Sequence, residues 1–196
     1  MRRICVIDNS TLVNITKLRH LKIFDNLRSI FGSIHVPLRI LQEYSNIHVI
    51  DPDRQWVINQ LQANYGFISS CTRYDSVALA FLETTKGIDR GEAEAAAQHK
   101  VIGSQFVLSD DKHFVRAIKT VDKFVRTLTT LHIIALLYFS KIITDPADLL
   151  NELYKHSPFT SRQLKTAYTD IIKELGLNVK KSEIYKMTSF AYLRIP

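Results

Sequence analysis

Asp8, Glu43, Glu92 and the pair Asp110-Asp111 are the residues of this chain whose type and spacing can do chemistry. Asp8 closes the apolar run Ile4-Cys5-Val6-Ile7, and Asp110-Asp111 closes Phe106-Val107-Leu108-Ser109. Glu43 comes six residues after the Val36-Pro37 pair, and Glu92 lies in the stretch Asp89-Arg90-Gly91-Glu92-Ala93-Glu94-Ala95. A carboxylate just past a buried strand sits at the carboxyl edge of an open α/β sheet, where such sheets bind ligands. Carboxylates gathered there repel one another unless a cation neutralises them, so without it some of their pKa values rise. Hard divalent ions such as Mg2+ or Mn2+ take oxygen ligands of this kind. The set therefore predicts a metal-dependent enzyme acting on phosphate esters, in which a cation activates water and a spare carboxylate orients it.

Taken singly, each acid has a simpler use. Asp8 and Asp110-Asp111 can cap the helices that follow them. Glu92 and Glu94 can complement a helix dipole at its N-terminus, and Glu43 can be a solvated helix residue. It is the combination that points to a site. Other chemistries find less support. Cys5 and Cys71 are the only cysteines, and the histidines show no zinc-ligand spacing. The six glycines form no phosphate loop. No Gly-x-Ser-x-Gly elbow supports a serine hydrolase.

The 196 residues, 46% of them hydrophobic, suffice for a sizeable core. The net charge is +7, and residues 151–196 carry eight Lys or Arg against four acids. A basic surface around an acidic pocket suits a polyanion held by its phosphates. Lys180, Lys181 and Lys186 in the tail are the expected nucleic-acid contacts. No apolar run approaches the roughly 20 residues of a membrane span, and the N-terminus does not read as a signal peptide. A cytoplasmic location and no membrane partner are expected.

Elements must bring the acids together. Ile4–Ile7, 33–36, 67–70 and 105–108 read as short buried strands, with a further one at Phe124-Val125. Helical spacing runs over 11–18, 21–31, 38–44, 112–119, 128–142, 146–154 and 161–175, with Gly32 and Gly176 as stops. Trp56, Val57, Leu61 and Tyr65 suggest a stripe within 51–66, and 91–97 is strongly helical in propensity. Residues 177–196 carry no firm assignment. Strands alternating with helices predict an α/β domain, a central parallel sheet covered on both faces, with the acids converging at one edge. Residues 1–150 form the expected catalytic domain, and 151–196 a basic helical extension packed on it.

The order of these motifs resembles the PIN-domain family of nucleases. Val6-Ile7-Asp8-Asn9-Ser10-Thr11-Leu12 is similar to the family's opening motif, and Val36-Pro37 with Glu43-Tyr44 to its second. Asp89 to Ala95 resembles the Gly-Glu-Ala-Glu-Ala form of the third motif found in VapC-like proteins. Val107-Leu108-Ser109-Asp110-Asp111-Lys112-His113-Phe114 looks like the fourth. The likeness covers roughly residues 3–150. It implies a three-layer α/β/α sandwich and a Mg2+- or Mn2+-dependent ribonuclease acting on single-stranded RNA, often the toxin of a toxin–antitoxin pair. It implies catalytic roles for Asp8, Glu43, Glu92 and Asp111, with Ser10 and Ser109 as polar supports. Asp111 matches the common pattern, Asp110 fits a paired variant, and both are carried as metal ligands. Glu92 stands where many members have Asp. A homodimer and an antitoxin partner are also implied, with the apolar stripe Leu128, Leu131, Ile134, Ala135 and Tyr138 as their surface. That stripe packing wholly inside the monomer is the competing expectation.

Two other functions compete. A PIN-like module that binds nucleic acid without cutting it would tolerate an incomplete site, against which stand the four filled acidic positions. A phosphotransfer protein of the dehalogenase type would need Asp-x-Asp after the first strand, where this chain has Asp8-Asn9-Ser10.

Overall fold

The computed structural model describes residues 3–45, 52–63, 67–193 and 195. Among them five strands form one parallel sheet in the order β3-β2-β1-β4-β5. The strands are β1 (Arg3–Ile7), β2 (Phe31–Pro37), β3 (Ile68–Cys71), β4 (Phe106–Leu108) and β5 (Thr127–Leu128). β1 is central, paired with β2 through Cys5–Ile34 and with β4 through Val6–Val107. Cys5, Val6 and Ile7 are wholly buried, as a parallel strand covered on both faces requires. Between β1 and β4 the strand order reverses direction, because the chain winds outward to β3 and then returns to the other side of β1. That reversal places a crevice beyond the carboxyl ends of β1 and β4.

Side-chain caps start the helices around that crevice. Asp8 caps α1 (Asn9–Lys17), and Asp111 caps α7 (Lys112–Val121). Asp89 and Glu92 form a reciprocal capping box at the head of α6 (Arg90–Ile102), which ends on Gly103 at φ 61. α2 (Ile23–Arg28), α3 (Leu38–Ser45), α4 (Pro52–Ala63) and α5 (Ser76–Glu83) complete the first part of the chain. α6 packs against β1, β2 and β4, whereas α1 packs with α4, α8 (Thr130–Phe139) and α9 (Ala147–His156). The result is the α/β sandwich expected from the alternation of elements.

α8 explains the chain beyond it. Its residues Leu131 and Ile133 to Leu137 are all buried, so it is apolar around its whole circumference. Such a helix cannot present a face to water. α10 (Ser161–Glu174) covers it with Ala167, Tyr168 and Ile171, and Tyr168 stacks edge-on against Phe139. The stripe of Leu128, Leu131, Ile134 and Ala135 is thus inside the monomer, with Tyr138 packed on the core. α11 (Lys181–Thr188) rests on α10, and α12 (Phe190–Leu193) on α9.

Several elements differ from their expected course. The helix expected over 21–31 is a 3-10 turn (Arg19–Leu21) and α2, separated by Lys22 at φ 57. Gly32 does not stop a helix but lies inside β2, which starts at Phe31 to pair with Arg3. β5 falls at Thr127–Leu128 rather than at Phe124-Val125, where Phe124 is 92% exposed. Within 51–66, Val57 and Leu61 are buried, while Tyr65 lies outside the described residues.

Candidate active site at the β1/β4 crevice

Asp8 is the centre of the crevice and is only 1% exposed. Its Oδ1 accepts the backbone N–H of Thr11 at 2.9 Å, the cap of α1. The Ser10 hydroxyl lies 2.9 and 3.0 Å from its two oxygens. The Ser109 hydroxyl donates to Oδ2 at 2.5 Å. Even so, burial pushes the Asp8 carboxyl up to about 6, helped by the charge of Asp110 and opposed by the hydrogen bonds from Ser109, Thr11 and Ser10. Three donors do not fully replace water around a buried carboxylate.

The two serines tie the crevice shut. Ser10 Oγ also accepts the N–H of Asp110 at 3.0 Å, and Ser109 Oγ accepts the N–H of Asp111 at 3.1 Å. Each serine therefore couples Asp8 to the β4–α7 turn, and fixes one rotamer of a group that like charges would otherwise push apart.

Asp111 caps α7, its Oδ1 accepting the N–H groups of His113 at 2.6 Å and Phe114 at 3.0 Å. Glu92 enters from α6. Its Oε2 accepts the N–H of Asp89 at 3.0 Å. Burial raises its carboxyl to about 7, and the charges of Asp89, Asp111 and Asp8 add to that rise. The charges of Asp8 and Asp111 therefore both reach Glu92. Glu43 reaches the same edge from α3. Arg39 holds its Oε1 at 3.1 Å, and its Oε2 would be 3.4 Å from a Cβ added at Gly91. The same Cβ would come within 3.1 Å of Ile40 Cγ1, so the bare glycine is what lets α6 start this close to α3.

Asp110 is placed differently from Asp111, because successive side chains leaving a strand diverge. Its carboxylate accepts from Thr11 Oγ1 at 3.2 Å, Asn14 Nδ2 at 2.9 Å, the Thr130 N–H at 2.9 Å and, at very short range, Thr130 Oγ1. Three donors converge on Oδ2 and one on Oδ1, and together they bind α1 to the head of α8. Sequence reasoning missed Asn14 and Thr130, although Thr11 and Asn14, three apart on α1, signal a shared helix face. It also missed the work of Glu94, whose Oε2 accepts the N–H of Arg39 at 2.8 Å in the first turn of α3. Lys180, Lys181 and Lys186 are exposed on and beside α11. Met187, at the end of that helix, shares a hollow with Tyr138 and Asp148, away from the Thr130 end of α8.

The donor set fits a hard cation. Its oxygens come from carboxylates whose burial, and then mutual repulsion, favours protons, and a divalent ion would take the place of those protons. Among the described residues no three carboxylate, imidazole or thiol groups stand close enough to enclose an ion. Mg2+ does not require such a cage, since it keeps several waters and uses one or two carboxylates together with substrate phosphates.

A family model described as DUF3368, a PIN domain, matches residues 4–176. Neither a curated protein nor a solved structure matches the chain.

Proposed function

The chain belongs to the PIN-domain family, whose members are in general nucleases, and from that premise we propose that it is a Mg2+- or Mn2+-dependent endoribonuclease acting on single-stranded or loop RNA. The observation that supports this reading best is the electrostatic coupling of Glu92 to Asp8 and Asp111 at the sheet's switch point. Asp8, Glu43, Glu92 and Asp111 are the proposed catalytic and metal-holding groups. A divalent cation there would supply Lewis-acid polarisation of the phosphate and an acidified water. Ser10, Ser109 and Thr11 hold the Asp8 carboxylate in place. Glu92, only part of it buried, is placed to orient the attacking water and take its proton. Asp110 anchors the turn that carries Asp111.

The Gly-Glu-Ala-Glu-Ala start of α6 supports a VapC-like toxin acting in the cytoplasm under the control of an antitoxin. For a homodimer or antitoxin contact, the support is Val77 and Phe81, one turn apart on α5 and 78% and 57% exposed. No helix of the described residues is long and apolar enough to cross a membrane.

The test is cleavage of a labelled single-stranded RNA, its duplex and the matching DNA, with Mg2+, with Mn2+ and with chelator. Cleavage of the single-stranded RNA that chelator abolishes and Asp8→Asn removes is the expected result. The open spacing of the acids favours one other reading, a PIN-like module that binds nucleic acid without cutting it. Binding of the same RNA with no cleavage in either metal would establish that alternative.

A further inference from the structure

A cleft of about 700 Å³ opens beside Asp110, between the first turns of α7, the head of α8 and the start of α10. Lys112, Arg116 and Arg162 line it, together with Thr129, Gln163 and Thr166. All three cations are exposed, and none forms an ion pair among the described residues. The one acid in the lining, Asp110, has its carboxylate held by four neutral donors from Thr11, Asn14 and Thr130. Arg116 also borders a second hollow, of about 290 Å³, with Lys86, Gly87 and His113. Arg116 therefore borders both hollows, and it lies about 7.5 Å along α7 from Asp111.

The geometry points to this cleft as the track that carries the phosphate backbone of the single strand away from the scissile bond, with Arg116 and Arg162 as its phosphate ligands. The proposal rests on the nuclease reading and assigns the substrate surface of that site. Guanidinium groups hold phosphate oxygens in pairs and keep their charge at every working pH. The rest of the lining mixes hydroxyl and amide groups with the apolar side chains of Leu131, Leu153 and Pro158; of its two rings, Phe159 is buried in a cluster with Tyr154 and Phe190, and His132 is mostly buried and turned to Asp170. With neither ring well exposed, the cations grip the sugar–phosphate chain and bases find little to stack on. The track also gives α10 a second task. The helix that seals α8 delivers Arg162 to the substrate.

This track competes with the expected contacts of Lys180, Lys181 and Lys186, and one titration separates the two. A fluorescent single-stranded RNA is titrated with the Asp8→Asn protein at several KCl concentrations, and the logarithm of affinity is plotted against that of salt. Removing two phosphate contacts should lower the slope by about 1.4, at about 0.7 per contact on a single strand. The Arg116→Ala/Arg162→Ala protein should show that loss, while Lys180→Ala/Lys181→Ala/Lys186→Ala keeps the parental slope. An unchanged slope in the double-arginine protein, with the RNA still bound, overturns the track and leaves the nuclease reading standing. Absence of RNA binding by the Asp8→Asn protein at every salt overturns both. Both arginines are exposed, and circular dichroism of the variant confirms that it folds as the parent does.

Discussion

The carboxylates at the carboxyl edge of the sheet and those on the outer helices are the same chemical groups held in opposite ways. Asp75 caps α5, and the N–H of Ala78 together with Lys100 holds its carboxyl below the usual range. Glu152 on α9 is likewise lowered, by hydrogen bonds from Lys155 and His156. These acids already have their cations. Asp8 and Glu92 sit at about 6 and about 7, with hydroxyl and amide donors around them and other acids as their charged neighbours. Both regions use acids to start helices, yet only the crevice leaves charge unbalanced. The difference teaches that capping a helix does not use up an acid's charge. Asp8 caps α1 and still carries charge that only a cation or a proton can neutralise.

The comparison is broken most sharply by activity. Asp8→Asn or Glu92→Gln should lower RNA cleavage by roughly 10²- to 10⁴-fold, the scale of a lost acid–base group. Asp75→Asn should leave the rate within a factor of two of the parent. Equal losses at the two regions, measured under single-turnover conditions, would erase the distinction.

Asp110 sharpens the contrast from within the crevice. Asp110→Ala should destabilise the protein by about 2–4 kcal/mol, because Thr11, Asn14 and Thr130 lose a charged acceptor in a partly buried place. Urea unfolding measures this. A stable Asp110→Ala protein that cannot bind Mn2+ would instead make Asp110 a ligand.

The pH dependence of stability gives a smaller, signed effect. A folded value of about 6 for Asp8 against an ordinary 3.8 amounts to about 3 kcal/mol. A raised acid leaves stability intact below its unfolded value and removes it as pH climbs through the folded value. The half-buried histidines His35, His99 and His132, all lowered by loss of water, act in the opposite direction. The difference between parent and Asp8→Asn cancels them. In metal-free protein that difference should move in favour of Asn by about 1.5 kcal/mol between pH 5 and pH 8. A difference that does not change with pH would show that Asp8 is not held at cost. The outer region gives the smallest effect, with Glu152→Gln shifting Tm by no more than about 2 °C, since its partners are exposed.

Much of this was legible in the sequence. Periodicity and apolar runs located β1, β4, α1, α7 and α10, because each obeys its own local pattern. Three features were not. The helix expected over 21–31 failed because its apolar spacing is shared by α2 and the first residue of β2, and only the pairing of Phe31 with Arg3 decides between them. The stripe on α8 leaves interface and monomer core both open, because a sequence shows that a helix is apolar but not that α10 lies over it. Asp110 and Asp111 are adjacent and alike, and only the positions of Asn14 and Thr130 distinguish anchor from candidate ligand. The cations of the proposed track come from α7 and α10, about fifty positions apart in the chain, so no local motif joins them.

The central claim is that protons on the crevice acids stand where a divalent cation belongs. Calorimetric titration of Mn2+ into metal-free protein, repeated in buffers of different ionisation heat at pH 6.5 and pH 8.5, tests it directly. The account predicts binding accompanied by proton release at pH 6.5, falling away at pH 8.5 where Asp8 and Glu92 are already ionised. No binding at millimolar Mn2+, or binding that releases no protons at pH 6.5, would contradict it.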